Sequence, residues 1–226
     1  MDDTIWIHGA ALNSGTWQPA PPGRCIDLPG HGAAARIADP TVGHFADAVA
    51  ADLPERFALV GHSLGAMVCI ELAARMPERC RALVLVDPPL RMPLGLLRRH
   101  GSTLARIVTR VPGPRGIAAL MALRVERRSE RPRVRQAIGA MSREGLCDAI
   151  CAAAAFDGRA HLTGLTMPTL ALLGKRSVLT GPRTAATLRR DLPQGTVETW
   201  DTGHMIPFDA PDAFFARVSG FLGEHS

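Results

Sequence analysis

The chain has 226 residues, enough for one well-buried core with an inserted subdomain but not for two domains of typical size. Hydrophobic residues make up 46% and charged residues 21% of the sequence, and no apolar run approaches a membrane-spanning length, so we expect a soluble protein without membrane contacts. The formal net charge of +5 comes from 25 arginines and one lysine, an imbalance typical of a GC-rich coding sequence, and we expect no binding to nucleic acid.

The amino-terminal sequence MDDTIWIHGA has neither the basic start nor the long apolar stretch of a secretory signal. The five cysteines are odd in number and are not spaced like metal ligands, so we expect free thiols in a reducing compartment. These two observations predict a cytoplasmic protein.

Six short apolar segments recur along the chain, and amphipathic stretches separate them. Most of the six are continuously apolar rather than alternating in polarity, as expected for parallel strands covered on both faces. The predicted strands are 4–9, 24–30, 57–62, 81–87, 168–174 and 195–201, and the predicted helices are 42–53, 64–76, 180–191 and 210–223. This βα repeat predicts a doubly wound, mostly parallel sheet of about six strands with helices on both faces.

One connection breaks this rhythm, because 80 residues separate the fourth predicted strand from the fifth. A structureless loop of that length is uncommon in a compact domain, so we expect the segment to carry its own structure. Its apolar pattern predicts helices at 93–110, 114–128, 131–142 and 144–156. We therefore predict a helical cap formed by residues 88–167, inserted into a core made of residues 1–87 and 168–226.

A serine stands between two glycines at the end of the third predicted strand, in the sequence Gly61-His62-Ser63-Leu64-Gly65. A strand before it and a helix after it place the serine in a tight turn, where small glycines let the two elements pass closely. The hydroxyl would then be held at the carboxyl edge of the sheet, beside helix N–H groups that favour developing negative charge. A serine that merely caps the helix is the alternative interpretation.

Four motifs occur in the order that is typical of one known family. HGAALNSGTW resembles the loop after the first of these strands in α/β-hydrolases, DLPGHG resembles their next strand-loop motif, GHSLGA their nucleophile elbow, and DTGHMIPFDAP their carboxy-terminal histidine loop. The chain thus resembles an α/β-hydrolase over nearly its whole length outside the predicted cap. This resemblance implies the α/β-hydrolase fold and a serine nucleophile that attacks a carbonyl carbon.

The resemblance implies a role for each residue that matches a family motif. Ser63 is the nucleophile, and His204, in the loop after the last predicted strand, is the base that takes its proton. The backbone N–H groups of Ala10 and Leu64 are the donors that stabilise the oxyanion. The other seven histidines flank motif glycines, occupy the PGHG turn or match no family motif, so none of them is the predicted base.

The acid that orients His204 departs from the usual family pattern. Most relatives place it after the penultimate strand in a pattern like G-x-x-D, whereas this chain has the sequence GKRS at 174–177. Some members place the acid after the preceding strand, where this chain has Asp87 in the sequence LVLVDPP. Asp87 is therefore the predicted acid, with a turn-forming role as the alternative, and without an acid the site would be a weakly active dyad. Asp201 and Asp209 are expected to stabilise the histidine loop.

A serine nucleophile excludes the reactions of family members that use an aspartate, so dehalogenation and epoxide opening are not expected. The predicted cap carries 14 arginines, which either recognise an anionic substrate group or a carrier-protein surface, or are solvated helix faces. Trp17, Met121 and Met205 are predicted substrate contacts, with packing in the core as the alternative for each. No phosphate loop, metal-ligand cluster or flavin fingerprint is present, so we expect no cofactor and no metal.

The predicted function is that of a serine hydrolase that cleaves an ester, thioester or lactone of a small hydrophobic substrate through an acyl-enzyme. A cofactor-independent lyase, cyclase or C–C bond hydrolase on the same serine and histidine is the second interpretation, and a non-catalytic binding protein is the third. An exposed edge strand of the sheet would also allow a homodimer.

Overall fold

The computed structural model describes residues 3–92, 109–110 and 113–226 of the chain. These residues form a parallel six-stranded sheet with helices packed on both of its faces. The strands are β1 (Thr4–Ile7), β2 (Arg24–Ile26), β3 (Phe57–His62), β4 (Cys80–Val86), β5 (Thr169–Gly174) and β6 (Gly195–Trp200), in the spatial order β2-β1-β3-β4-β5-β6. The predicted α/β class and the six-stranded parallel sheet are confirmed.

Helices follow the strands in the predicted alternation. Within the described residues they are α1 (Val42–Ala50), α2 (Leu64–Arg75), α3 (Gly113–Leu123), α4 (Arg131–Gly139), α5 (Arg143–Ala155), α6 (Pro182–Asp191), α7 (Ile206–Asp209) and α8 (Pro211–Glu224). Short 3₁₀ helices occur at Ser14–Thr16, Arg128–Glu130 and Gly158–Gly164. No helix in this part of the chain has the length and apolar character needed to cross a bilayer.

The apolar composition of the central strands follows from their burial. Every residue of β3 and β5, and all but one of β4, is buried, because clusters of apolar side chains cover both faces of the sheet. The edge strands β2 and β6 are only partly buried, and β6 has the more polar sequence GTVETW. Position in the sheet therefore determines which strands are continuously apolar.

Helices α3, α4 and α5 lie between β4 and β5 along the chain, where the sequence predicts a helical insertion. Their apolar side chains form a cluster with the loop after β1 and with α7, here called the third cluster. Its buried members are Ala11, Leu12, Ala118, Val125, Val134, Ile138, Met141, Leu146, Met205 and Phe208. The helix predicted at 93–110 lies outside the described residues except for 109–110, and the division into cap and core stays a prediction.

Two predicted elements end four or five residues earlier than expected. The strand predicted at 24–30 ends at Ile26, because the Asp27 side chain turns toward the backbone N–H groups of Ser14 and Ala33, at 2.6 and 3.0 Å.

The helix predicted at 114–128 ends at Leu123. The N–H of Glu126 donates to Oδ1 of Asp209, at 2.7 Å, instead of continuing the helical hydrogen bonds. Both early ends therefore come from contacts between residues distant in sequence, which a local pattern does not contain.

Candidate active site

Ser63 occupies the turn between β3 and α2, at the carboxyl edge of the sheet. Its φ and ψ angles of 53° and −113° belong to a conformation that non-glycine residues rarely adopt. Gly61 and Gly65 permit this turn, because a Cβ atom on Gly61 would lie 2.5 Å from the carbonyl oxygen of Gly65, and one on Gly65 would overlap the carbonyl oxygen of Ile7. The serine is thereby fixed at the amino end of α2, with 8% of its surface exposed.

His204 lies in the loop between β6 and α7 and contacts two other candidate residues. Its Nε2 is 3.0 Å from Oγ of Ser63, and its Nδ1 is 2.5 Å from Oδ2 of Asp87. Burial lowers the pKa of His62 to about 3, so this neighbouring ring is neutral at ordinary pH. His62 donates from Nε2–H to the carbonyl oxygen of His204, at 3.0 Å, and thereby anchors the backbone of the histidine loop.

Asp87 directly follows β4, and its side chain is completely buried. Each carboxylate oxygen accepts two hydrogen bonds. Oδ1 receives the N–H of Gly174 at 2.8 Å and the hydroxyl of Thr180 at 2.6 Å, while Oδ2 receives the hydroxyl of Ser177 at 2.5 Å and Nδ1–H of His204. Burial alone would raise the pKa of Asp87, but the hydrogen bonds from His204, Ser177 and Thr180 outweigh it and hold the pKa below its usual value. The group is therefore a carboxylate at neutral pH.

The contact between Ser177 and Asp87 is a feature that sequence reasoning missed. The sequence shows Ser177 only as the residue that stands where most relatives carry the acid. Strands β4 and β5 are neighbours in the sheet, so the residue after β4 and the loop after β5 meet at the same edge. Knowledge of the strand order would have been needed to predict that this hydroxyl lies beside the carboxylate.

The predicted oxyanion donors are the backbone N–H groups of Ala10 and Leu64. Leu64 begins α2, and Ala10 follows Gly9, where a Cβ atom would lie 3.2 Å from Cβ of Ser63. Neither N–H donates to another residue in the described parts of the chain. Both donors are thus unoccupied beside the serine and available to a ligand.

A buried histidine fixes the peptide that bears the Ala10 donor. Nδ1–H of His8 donates to the carbonyl oxygen of Gly9 at 2.8 Å, and Nε2 of the same ring accepts the N–H of Leu28 at 3.1 Å. Burial lowers the pKa of His8 to about 3, which leaves a neutral ring with one donor and one acceptor, as these contacts require. Because a trans peptide points its C=O and N–H in opposite directions, anchoring the oxygen of Gly9 also orients the N–H of Ala10.

The predicted substrate contacts lie in two different places. Met205 belongs to the third cluster, and Met121 packs against it. Trp17 is completely buried in another cluster, with its ring centroid 5.2 Å from that of Trp6 and 6.0 Å from that of Phe214. A substrate would have to displace the core to reach Trp17, so this tryptophan is a core residue and we do not carry its predicted role further.

The histidine loop is tied to the segment that follows α3. Arg176 donates from Nε and Nη2 to the two carboxylate oxygens of Glu126, at 2.9 and 2.7 Å, and its Nη1 binds Asp201. Asp209 accepts the N–H of Glu126. Asp201 thus contacts Arg176 and Asp209 contacts the backbone of Glu126, and neither aspartate is hydrogen-bonded to His204. Within the described residues, no three His, Cys, Asp or Glu side chains converge as metal ligands would.

Comparisons with known proteins identify the family of the chain. A family model described as "Alpha/beta hydrolase family" matches residues 5–218. The chain is 27% identical to a pimeloyl-[acyl-carrier protein] methyl ester esterase of Nitrosomonas europaea, over 94% of this chain and 92% of that protein. It is 29% identical to an N-formylmaleamate deformylase of Pseudomonas putida, over 87% and 77%. Among solved structures, a thermophilic esterase of Thermogutta terrifontis has a TM-score of 0.87 at 24% identity, covering 99% of this chain and 90% of that one.

Proposed function

The chain belongs to the α/β-hydrolase family and is an enzyme of that family, and on this premise we propose that it is a serine hydrolase acting on an ester, thioester or lactone. The observation that carries the proposal is the unbroken line of hydrogen bonds from Ser63 through both ring nitrogens of His204 to Asp87. Such a line activates a hydroxyl that is otherwise a weak nucleophile.

Acylation begins when Oγ of Ser63 attacks the substrate carbonyl carbon and its proton passes to Nε2 of His204. The electron pair of the C=O bond moves onto the oxygen and gives a tetrahedral oxyanion. His204, now positively charged, is stabilised by the Asp87 carboxylate, which keeps its charge. The imidazolium then donates its proton to the leaving alcohol or thiol as the C–O or C–S bond breaks, and the acyl group remains on Ser63.

The oxyanion forms beside the two available backbone donors, Ala10 and Leu64. One such donor is worth roughly 3 to 4 kcal/mol of transition-state stabilisation in other serine hydrolases. The anchoring of the Gly9 carbonyl by His8 supports this role, because the Ala10 donor then needs no reorganisation during the reaction.

Deacylation repeats these steps with water as the nucleophile. Nε2 of His204 takes a proton from water while the hydroxyl oxygen attacks the acyl carbon, and the resulting tetrahedral intermediate expels Oγ of Ser63. His204 returns the proton to Ser63, so the enzyme is regenerated and the acid is released.

The apolar surroundings support a hydrophobic acyl or alcohol group. Met121 and Met205 belong to, or pack against, the third cluster, and Met205 directly follows the base His204. Methionine side chains adapt to irregular shapes, which suits contact with a flexible chain. We assign these two residues to the substrate pocket.

The charge distribution supports a substrate that is anionic or bound to an acidic carrier protein. Residues 88–167 contain 14 arginines and 5 acidic residues, whereas the rest of the chain contains 12 basic and 16 acidic residues. On this part of the chain, six described arginines are exposed and make no ion pair with another described residue: Arg110, Arg115, Arg124, Arg128, Arg135 and Arg143. The esterase of Nitrosomonas europaea acts, by its name, on a carrier-bound ester.

Labelling with a fluorophosphonate probe tests the serine mechanism. We expect rapid labelling of the wild type, none of Ser63→Ala, and greatly slowed labelling of His204→Ala and Asp87→Asn. Asp201→Asn is the matched control, because this exposed aspartate flanks the loop without contacting His204. Absence of wild-type labelling, or normal labelling of Ser63→Ala, contradicts the proposal. In a separate product analysis with an acyclic ester or thioester, the absence of a released alcohol or thiol points to lyase chemistry.

The carrier-bound substrate has its own test. We expect butyryl thioester on an acyl carrier protein to be hydrolysed with a higher kcat/KM than the same acyl group on N-acetylcysteamine, and this advantage should fall as salt rises. Arg124→Ala and Arg128→Ala should reduce it, whereas Arg183→Ala, an exposed arginine on α6, should not. Equal kcat/KM values on the two thioesters would contradict recognition of a carrier protein by the enzyme.

A further inference from the structure

We propose that Ser177 and Thr180 are positioning residues that hold the Asp87 carboxylate charged and aligned with His204. The inference rests on the proposed serine mechanism, in which Asp87 orients the base. It goes beyond that mechanism because it assigns a role to Thr180, which lies in none of the family motifs, and to Ser177, which stands where most relatives carry the acid.

The hydroxyl hydrogen of Ser177 has one available direction. Oγ of Ser177 accepts the backbone N–H groups of Leu179 and Thr180, each at 3.3 Å. It also lies 2.5 Å from Oδ2 of Asp87. Since a carboxylate only accepts, the hydroxyl must donate to Asp87, and the two incoming N–H groups fix the oxygen in the position from which it does so.

Thr180 acts on the other carboxylate oxygen. Its side chain is almost completely buried, and Oγ1 lies 2.6 Å from Oδ1 of Asp87. The N–H of Gly174 donates to the same oxygen at 2.8 Å. With Ser177 and His204 on Oδ2, each oxygen of the carboxylate has two donors, so rotation of the carboxylate would break hydrogen bonds on both sides.

Four donors around one carboxylate favour its charged form. A proton on either oxygen would face a hydrogen that already points at that oxygen, so protonation would break a hydrogen bond. The arrangement therefore opposes transfer of the Nδ1 proton from His204 to Asp87. In the neutral ring, a proton held on Nδ1 leaves Nε2 as the nitrogen that can accept the proton of Ser63.

A purely structural role for the two hydroxyls makes a different prediction. Residues 174–180 form a tight loop in which Ser177 N–H also donates to the Gly174 carbonyl oxygen at 3.0 Å. If the hydroxyls only stabilised this loop, removing them would lower the free energy of unfolding and leave the pH dependence of catalysis unchanged. A positioning role changes the pH dependence as well.

Two control variants match the two tested residues. Thr169, at the amino end of β5, is a buried threonine whose Oγ1 donates to the carbonyl oxygen of Met167 at 3.0 Å. Ser142 caps α5 by accepting the N–H of Gly145. Thr169→Val and Ser142→Ala therefore remove comparable hydrogen bonds away from Asp87.

Other titratable groups adjoin the pair formed by His204 and Asp87, and none of the variants alters them. The ring centroid of His62 is 4.9 Å from that of His204. The adjoining loops and the segment after α3 carry Lys175, Arg176, Asp201, Asp209 and Glu126. A shift that appears in the hydroxyl variants and not in the controls therefore reports on Asp87.

The experiment measures kcat and KM for 4-nitrophenyl butyrate across pH for wild type, Ser177→Ala, Thr180→Val, Thr180→Ser and the two controls. For Ser177→Ala and Thr180→Val we expect kcat to fall by about tenfold to a hundredfold, the range for a buried hydrogen bond to a charged group, with KM little changed. The acidic limb of the kcat/KM profile should move to higher pH, because Asp87 has lost a donor that favours its charged form. Thr180→Ser should retain the wild-type profile.

A double-mutant cycle with Asp87→Asn isolates the coupling. We expect Ser177→Ala to change kcat less than about twofold once Asp87 is an asparagine, because the hydroxyl acts through the carboxylate. An undiminished effect in that background would overturn the proposal. So would an unshifted acidic limb in both Ser177→Ala and Thr180→Val, or shifts of equal size in Thr169→Val and Ser142→Ala.

Proton NMR separates failure of this inference from failure of the proposed function. The hydrogen between Nδ1 of His204 and Asp87 should give a low-field resonance in the wild type, and this needs no substrate. Loss or displacement of the resonance in Ser177→Ala and Thr180→Val, but not in the controls, supports positioning even if no ester is hydrolysed. An unchanged resonance in both variants contradicts it, and Thr180→Val decides alone if Ser177→Ala does not fold.

Discussion

Ser63 and Asp87 occupy equivalent positions at the ends of two neighbouring strands. Each follows the last of the paired residues His62 and Val86, and the N–H of Ser63 donates to the carbonyl oxygen of Val86 at 3.0 Å. Both residues have positive φ angles, 53° and 44°. Because the nucleophile and the acid are one strand apart, His204 can contact both from the loop after β6.

Replacing Asp87 with asparagine should nearly abolish hydrolysis. An asparagine side chain would place an NH₂ group among donors and favour the wrong tautomer of His204. We expect kcat to fall about ten-thousandfold, as in related triads that lose the acid. The measurement is kcat for a 4-nitrophenyl ester, with Asp201→Asn as the control, and a loss smaller than about tenfold would mean that Ser63 and His204 work as a dyad.

Two glycine-to-alanine variants in helices should have opposite effects on stability. In Gly65→Ala the new Cβ would overlap the carbonyl oxygen of Ile7, so β1 and α2 would have to separate, at a cost of about 3 kcal/mol or more. In Gly220→Ala, inside α8, nothing lies near the new Cβ, and we expect a gain of about 0.5 to 1 kcal/mol. Urea unfolding of both variants measures this, and equal effects would contradict the close approach at Gly65.

The buried histidines His8 and His62 should make stability depend on pH. Burial lowers the pKa of each to about 3, below the usual value of 6.5, so the unfolded chain binds more protons between these pH values. The contribution of these two histidines to the free energy of unfolding should therefore be complete above pH 6.5. Below this pH it should fall by about 1.4 kcal/mol per pH unit for each histidine.

Urea unfolding between pH 6.5 and 4.5 tests this dependence. His8→Gln should reduce the slope by about one proton. A flat profile would mean that one or both rings are protonated in the folded protein.

Substitution of Trp17 should lower stability without affecting substrate binding, whereas substitution of Met121 should mainly weaken substrate binding. Trp17→Phe removes volume from the cluster that contains Trp6 and Phe214, so we expect a loss of about 1 to 3 kcal/mol with KM unchanged. Met121→Ala should raise KM for long acyl chains more than for acetyl esters, and cost less stability because Met121 is only partly buried. A chain-length effect in Trp17→Phe would return this residue to the substrate pocket.

The positions of the strands and their parallel direction could be predicted from the sequence pattern, but their spatial order was not predicted. Continuous apolar runs mark β3, β4 and β5, which are buried on both faces. The end of β2 could not be predicted, because it depends on Asp27 binding N–H groups of two other loops. Pattern reasoning is local, whereas these ends are decided by tertiary contacts.

The candidate site shows the same division. Ser63 and His204 stand in motifs whose glycines and spacing can be read directly, and the structure brings them together with Asp87. The sequence showed Ser177 only as a serine in place of the usual acid. Its contact with Asp87 could not be predicted, because that contact depends on β4 and β5 being neighbours in the sheet. Trp17 lies in the core, which was the alternative prediction, because an aromatic residue near a motif suits a core as well as a pocket.

Because Asp87 lies before the long connection between β4 and β5, most residues of the proposed mechanism are encoded ahead of that connection. Of the residues in the proposed mechanism, Ser63, Asp87, Ala10 and Leu64 precede residue 88, and only His204 follows the long connection between β4 and β5. Recombination that exchanged this connection for another would leave the Ser63–Asp87 geometry encoded in one uninterrupted stretch. On the proposed function, exchange of this segment would change the substrate range and leave the Ser63–Asp87 arrangement in place.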